Sequence, residues 1–272
     1  MTLYPSKLRE VTLLCDHRLN ECNHYSLFRL APFVKGQALP VATTLRRVLL
    51  NELDAFAITG ARFVDAAGPS HELDCLPGVR ETLPHIVRGL RDIVFSMTDL
   101  DALIAASGTN DSNTYMLEIE PDKDLMAEPE NEGPRRLPPS LIWPATLRGK
   151  GKMVLTAGDV CPPPGLTVVN PDQHLATLVS PHAAIDLELT ISHGKTYMSC
   201  VDQMYTASES TSLSVIPVDG RFAPVHRVNY FIKQQYEYEF ILLEVWTNGS
   251  ITPSQSLGKA SVVIKQLFQP FV

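Results

Sequence analysis

Apolar residues recur with helical spacing between Lys35 and Asp54, in KGQALPVATTLRRVLLNELD. Val41, Leu45, Val48, Leu49 and Leu53 fall on one face of a 3.6-residue helix. Pro40 suits a first turn, where a missing N–H costs nothing. Arg46, Asn51 and Glu52 take the other side, and Arg47 borders the apolar stripe. Such a face must be buried, either in this chain or against another. A second helix is predicted over Leu83–Val94, weakened by Gly89. A third closes the chain, with Leu257, Ala260, Ile264, Leu267 and Phe271 three or four residues apart. Its start is marked by Thr252 as N-cap, Pro253 in the first helical position and Gln255 completing a capping box.

Strand patterns fill most of the remainder. Residues 8–34 hold two alternating runs separated by Leu19-Asn20-Glu21, and Phe56–Phe63 is a further strand, followed by a turn over residues 66–70. Met116–Ile119 is a short strand candidate. Residues 152–200 alternate KMVLTAGDV, LTVVN, HLATLV and AIDLELTIS with Pro and Gly turns, CPPPGL at 161–166 being a loop. Ser214–Val218 and Tyr236–Trp246 are strands; the latter begins in alternation and turns continuously apolar. Asn248-Gly249 is a tight turn. Residues 121–140, rich in Pro, Glu and Asp, have little to bury and read as a flexible surface insertion.

Composition narrows the function. The 272 residues are 44% apolar and 19% charged, ordinary for one large or two modest folded domains. A net charge of −7 argues against a surface given over to nucleic acid. No run reaches a membrane span, and MTLYPSKLREV has no signal core, so the chain is made where it works or has lost a leader. Five cysteines without C-x-x-C spacing suit a reducing compartment.

The search for catalytic chemistry returns little. No phosphate-cradling glycine motif, two-metal Asp cluster, G-x-S-x-G elbow or HExxH helix occurs. Gly149-Lys150-Gly151-Lys152 reads as a solvated loop before a phosphate contact, and His71-Glu72 as a positioning loop before an acid/base pair. Cys15, His17, Cys22 and His24 could converge on zinc if their two strands form a hairpin; the competing reading is buried thiols beside partly exposed imidazoles. That zinc set is what a small stand-alone metal-dependent enzyme would use. Arg46-Arg47 is the most suggestive charge feature, as a solvated helix face or as a grip on carboxylates of another protein.

Several blocks carry a resemblance. They include Lys35-Gly36-Gln37-Ala38 with Leu45-Arg46-Arg47-Val48-Leu49-Leu50, Ser70-His71-Glu72, Pro77-Gly78-Val79-Arg80-Glu81 and Val154-Leu155-Thr156-Ala157-Gly158-Asp159. Further along stand Gln173-His174-Leu175-Ala176, Ile216-Pro217-Val218-Asp219, Pro224-Val225-His226-Arg227-Val228-Asn229-Tyr230 and Leu243-Glu244-Val245-Trp246-Thr247-Asn248-Gly249-Ser250-Ile251-Thr252-Pro253. In this order they resemble the amino-terminal domain of the α subunit of multisubunit DNA-directed RNA polymerase, closest to plastid α and next to cyanobacterial α.

The resemblance implies an α+β fold in two parts. Residues 1–54 and 200–272 would form a dimerisation domain of antiparallel strands with two long amphipathic helices. Residues 55–199 would form an inserted, strand-rich mixed α/β domain. It implies a non-catalytic subunit of a nucleotidyltransferase, which pairs with a second α and scaffolds the β and β′ subunits. No cofactor is implied in this chain, with Mg and Zn held by partner subunits, and DNA would be reached only through the complex. The plastid stroma is the implied location, with bacterial cytoplasm as the alternative. The opening and final helices would place Val41, Leu45, Val48, Leu49, Leu53, Leu257, Ala260, Ile264 and Leu267 at the dimer interface. Arg46, Arg47, His71, Glu72, Arg80, Glu81, Arg227 and Asn229 would meet β or β′. Two departures stand out. Ala42-Thr43-Thr44 replaces a Gly-containing run, and the chain stops at Val272, where relatives continue into a DNA-binding domain.

Overall fold

A computed structural model describes residues 10–64, 75–106, 141–200 and 215–269. His71, Glu72, the turn at 66–70, the strand at 116–119, the 121–140 insertion and Phe271 lie outside them.

The chain opens with a hairpin of β1 (Glu10–Asn20) and β2 (Asn23–Val34). Gly36, at φ +87°, turns the chain into α1 (Ala38–Asn51). No side chain of the N-cap residue Gln37 caps this helix; Glu239 instead accepts the Ala38 N–H at 3.3 Å. The Ala42-Thr43-Thr44 segment leaves α1 unbroken. Ala42 is fully buried, and both threonine hydroxyls turn back onto the Pro40 carbonyl.

Next come β3 (Asp54–Phe63), α2 (Leu83–Arg91), β4 (Phe95–Met97) and α3 (Leu100–Ala106). The helix expected over 83–94 stops at Arg91. Asp92 N–H closes onto the Gly89 and Leu90 carbonyls, and Val94 N–H goes to Asn170 Oδ1, which draws the chain out into β4. Residues 141–200 supply β5 (Ile142–Lys150), β6 (Met153–Thr156), a 3₁₀ turn at Ala157–Asp159, β7 (Val160–Cys161), β8 (Leu166–Val168), β9 (His174–Leu178), β10 (Ala184–Lys195) and β11 (Tyr197–Met198). The chain ends through β12 (Val215–Pro217), β13 (Gly220–Arg221), β14 (Val225–Gln235), β15 (Tyr238–Thr247) and α4 (Pro253–Phe268).

This is an α+β protein of antiparallel sheets. One sheet has the order β1-β2-β15-β14, and a larger one the order β12-β3-β10-β5-β7. Alternation gives the four-stranded sheet an inner face of Phe28, Leu30, Val228, Ile241, Leu243 and Val245, on which α1 and α4 pack. The five-stranded sheet has a core of its own around Trp143, Ile58, Phe95 and Leu147, closed by α2 and α3. Residues after 200 divide between the two: β12 is an edge strand beside β3, while β14, β15 and α4 return to the first sheet.

Candidate subunit interface

The two long helices converge on the inner face of the four-stranded sheet. The turn before α4 is tightly specified. A Cβ on Gly249 would stand 2.0 Å from the Glu21 carbonyl, so only glycine fits at its φ of +88°. Thr252 Oγ1 then accepts the Gln255 N–H at 3.2 Å, and Gln255 Oε1 accepts the Thr252 N–H at 3.1 Å. This reciprocal cap fixes the helical phase. Phase in turn directs Leu257, Ala260 and Ile264 toward α1 and the sheet.

Coverage along α4 is uneven. Leu257 and Ala260 are buried, Ile264 is half-buried and Leu267 is 58% exposed. Spacings of three, four and three keep all four on one stripe. Leu267 is therefore bare because the helix outruns its own sheet. Phe268, also on the last turn, is 55% exposed. At the other end of α4, a groove of about 330 Å³ runs between it and edge strand β1, lined by Val11, Leu13, Phe28, Leu257, Gly258 and Ser261.

The remaining sequence-derived interface residues divide in the same way. Leu45, Val48, Leu49 and Leu53 are buried in this chain's own core, and Val41 is half-buried at its margin. Arg46 and Arg47 are exposed on α1, with no ion pair among the described residues. Arg80 is exposed as well. Glu81 is engaged internally: Thr177 Oγ1 donates to it at 2.9 Å, and His174 Nε2 is 3.5 Å away. Burial raises the Glu81 pKa, but the hydrogen bonds from the Thr177 backbone and hydroxyl outweigh that and leave it lowered.

Arg227 lies over the Trp246 ring, 4.8 Å from its centre. Asn229 accepts from Arg227 Nη2 at 3.2 Å in the amide orientation that satisfies both ends. Sequence reasoning overlooked the surroundings of this pair, because Tyr25, Arg29 and Phe240 come from distant strands. The signal available was the continuous apolar run of β15.

The Cys/His hairpin forms, but its four candidate ligands do not converge. His17 pairs across from Tyr25 and stacks on it, whereas His24 points to the opposite face. There His24 Nε2 meets Asp16 Oδ1 at 2.9 Å, and Ser26 Oγ donates to the same carboxylate. Hydrogen bonds from Ser26 and His24 hold the Asp16 pKa below the usual range against a desolvation that raises it. Among the described residues no group of three His, Cys, Asp or Glu side chains could hold a metal. No described helix is long and apolar enough to cross a membrane.

Comparison with known proteins fits this architecture. Proteins named DNA-directed RNA polymerase subunit alpha align along nearly the whole chain. That of Synechococcus sp. (strain JA-3-3Ab) is 31% identical over 94% of this chain and 65% of its own length. That of Mesostigma viride is 30% identical over 91% of this chain and 65% of its own. That of Fervidobacterium nodosum is 32% identical over 92% and 64%. The chain thus spans just under two thirds of these relatives. The RNA polymerase Rpb3/Rpb11 dimerisation domain matches residues 31–268, from the end of β2 to the end of α4, and the chain belongs to that family.

Proposed function

We propose that this chain is a non-catalytic α subunit of DNA-directed RNA polymerase. It dimerises through α1 and α4 and scaffolds the β and β′ subunits. The observation that carries this is the apolar stripe of α4, which continues to Leu267 and Phe268 past the point where its own sheet covers it. A second copy offers the matching stripe, and two-fold pairing would bury both. In the assembled state Arg46 and Arg47 face a large subunit, with Arg80, Arg227, Asn229, Glu81, His71 and Glu72 as further contacts. Magnesium and zinc belong to the partner subunits, and DNA is met only through the complex. Relatives from cyanobacteria and from Mesostigma viride support a plastid or bacterial setting, and the motif likeness favours the plastid stroma.

Sedimentation of the purified chain at micromolar concentration tests the first half: a dimer is expected, and a folded monomer overturns the reading. Co-expression with the large subunits tests the second. Arg47→Ala keeps the dimer and lowers recovery of a large subunit; loss of the dimer instead would make the arginine structural.

A further inference from the structure

The outer face of the four-stranded sheet, turned away from α1 and α4, is not built as a solvent face. Sheets with one wet side alternate apolar and polar residues, whereas strands buried on both sides read as continuous apolar runs. In β15, Phe240–Val245 is apolar except for Glu244. Its inward residues Ile241, Leu243 and Val245 are buried, and its outward ones are Phe240, Leu242 and Trp246. Tyr25 on β2 packs against Trp246 with ring centres 5.0 Å apart. Phe231 on β14, opposite Leu242, is 55% exposed.

Charge gives this surface its second property. Arg29 stacks over Phe240 at 4.8 Å, matching Arg227 over Trp246. The Arg29 Nε is buried without a hydrogen-bond partner among the described residues. Arg29, Arg227 and the neighbouring Lys233 make no ion pair with any described residue. Glu244, the acid at the centre, already accepts from Tyr25 Oη at 3.2 Å, and Glu10 lies at the β1 edge. Aromatic rings and stacked arginines are the residues enriched at the energetic centres of protein interfaces. A planar guanidinium held on a ring presents its N–H fork to carboxylates.

We propose that this face docks a protein segment in which acidic side chains flank an apolar anchor. The proposal rests on, and deepens, the reading of Arg227 and Asn229 as partner contacts by supplying a whole face and the chemistry of its ligand. A second copy of this chain is a poor occupant, because two-fold pairing would set arginine against arginine. Single-stranded nucleic acid is disfavoured as well. Arginines already occupy the Trp246 and Phe240 ring faces that bases would stack on, and Glu244 would repel phosphate.

The probe is a displayed library of random peptides of about a dozen residues, panned on the full chain. Enriched peptides are expected to pair Asp or Glu with a large apolar residue. Their affinity should fall about tenfold in Arg227→Glu and again in Arg29→Glu, the loss of one charge-assisted contact each. Binding should also shift the emission of Trp246, since the other tryptophan, Trp143, is fully buried elsewhere. Unchanged melting and sedimentation of both variants separate this outcome from misfolding or loss of the dimer. The proposal is overturned by no enrichment, by peptides that bind wild type and variants alike, or by a single-stranded oligonucleotide that binds more tightly than any peptide. Because dimerisation and co-purification are read separately, the α-subunit reading can stand while this one fails.

Discussion

The five-stranded module and the helix-covered four-stranded sheet are built from the same kinds of residue but finish differently. Around the first, Trp143, Phe95, Ile58, Leu147 and Leu155 are all fully buried, and α2 and α3 close the core within the chain. In the second, Leu49, Ile241 and Leu243 are equally covered, yet Val11, Leu13, Leu39, Leu267 and Phe268 stay bare along its helices and edge strand. Exposed apolar residues scattered singly need no explanation, but Leu267 and Phe268, which continue the buried stripe of one helix, do. The described core of the first is thus closed by the chain's own helices, whereas the apolar stripe of the last helix runs on past its cover in the second. Substitutions should separate them: damage to the first lowers stability, while damage to the open margin of the second lowers association.

The largest effect is expected from Trp143→Ala. Its ring packs edge-on against Phe56 at 5.5 Å, and its Nε1–H donates to the Leu103 carbonyl at 2.9 Å. Truncation empties the centre of the closed core and orphans that acceptor. A loss of about 3–5 kcal/mol is expected by urea unfolding, with no new concentration dependence. A loss under about 1 kcal/mol would show this core to be less tightly packed than its burial implies.

Leu267→Asp tests the opposite behaviour. More than half of this side chain is in solvent, so folding of the single chain should change by less than about 0.5 kcal/mol. If a second copy covers it, a buried carboxylate weakens the dimer by about 2 kcal/mol, near thirtyfold in Kd. Sedimentation over a dilution series reads this directly. A dimer as tight as wild type would place the interface elsewhere.

How much of this was legible in the sequence differs by level. Periodicity located α1, α2 and α4, and the α4 cap was readable to the residue because Thr252, Pro253 and Gln255 act within one turn. Strand β5 went unrecognised. Pro144 interrupts IWPATLRGK, and it is tolerated because β7 pairs only with Thr146 and Leu147, leaving the edge beside Pro144 free. Short α3 had no room for a period. At the interface, the stripe could be read, but where its cover ends could not, because that depends on the length of a sheet assembled from both ends of the chain. The internal bond between Glu81 and Thr177 was not readable in the sequence, because it spans 96 residues. His17 and His24 were grouped by spacing, while the pleat sends them to opposite faces.

Thr252→Ala is a smaller perturbation of the open module. It removes the acceptor for the Gln255 N–H and costs about 1 kcal/mol. Because the cap sets the phase of α4, dimerisation should weaken along with stability. Loss of stability alone would show that packing on α1 suffices to orient the helix.

The seam between the modules offers the smallest effect and a distinct signature. Asp54 opens β3 at the junction; His193 Nε2 from β10 lies 3.0 Å from its Oδ2, and Lys259 Nζ from α4 is 4.0 Å from its Oδ1. Desolvation pushes the Asp54 carboxyl up, but the hydrogen bond and charge of His193, aided by Lys259, win and bring it to about 2 from 3.8. A depressed carboxylate stabilises the fold fully above its unfolded pKa and loses that contribution as pH falls through the folded one. The window is therefore between about pH 4 and pH 2. With 36% of the side chain in solvent, screening keeps the contribution below about 1 kcal/mol. Melting temperature followed against pH should fall more steeply across that window for wild type than for Asp54→Asn. Parallel lines throughout would mean that this ion pair contributes nothing to the seam.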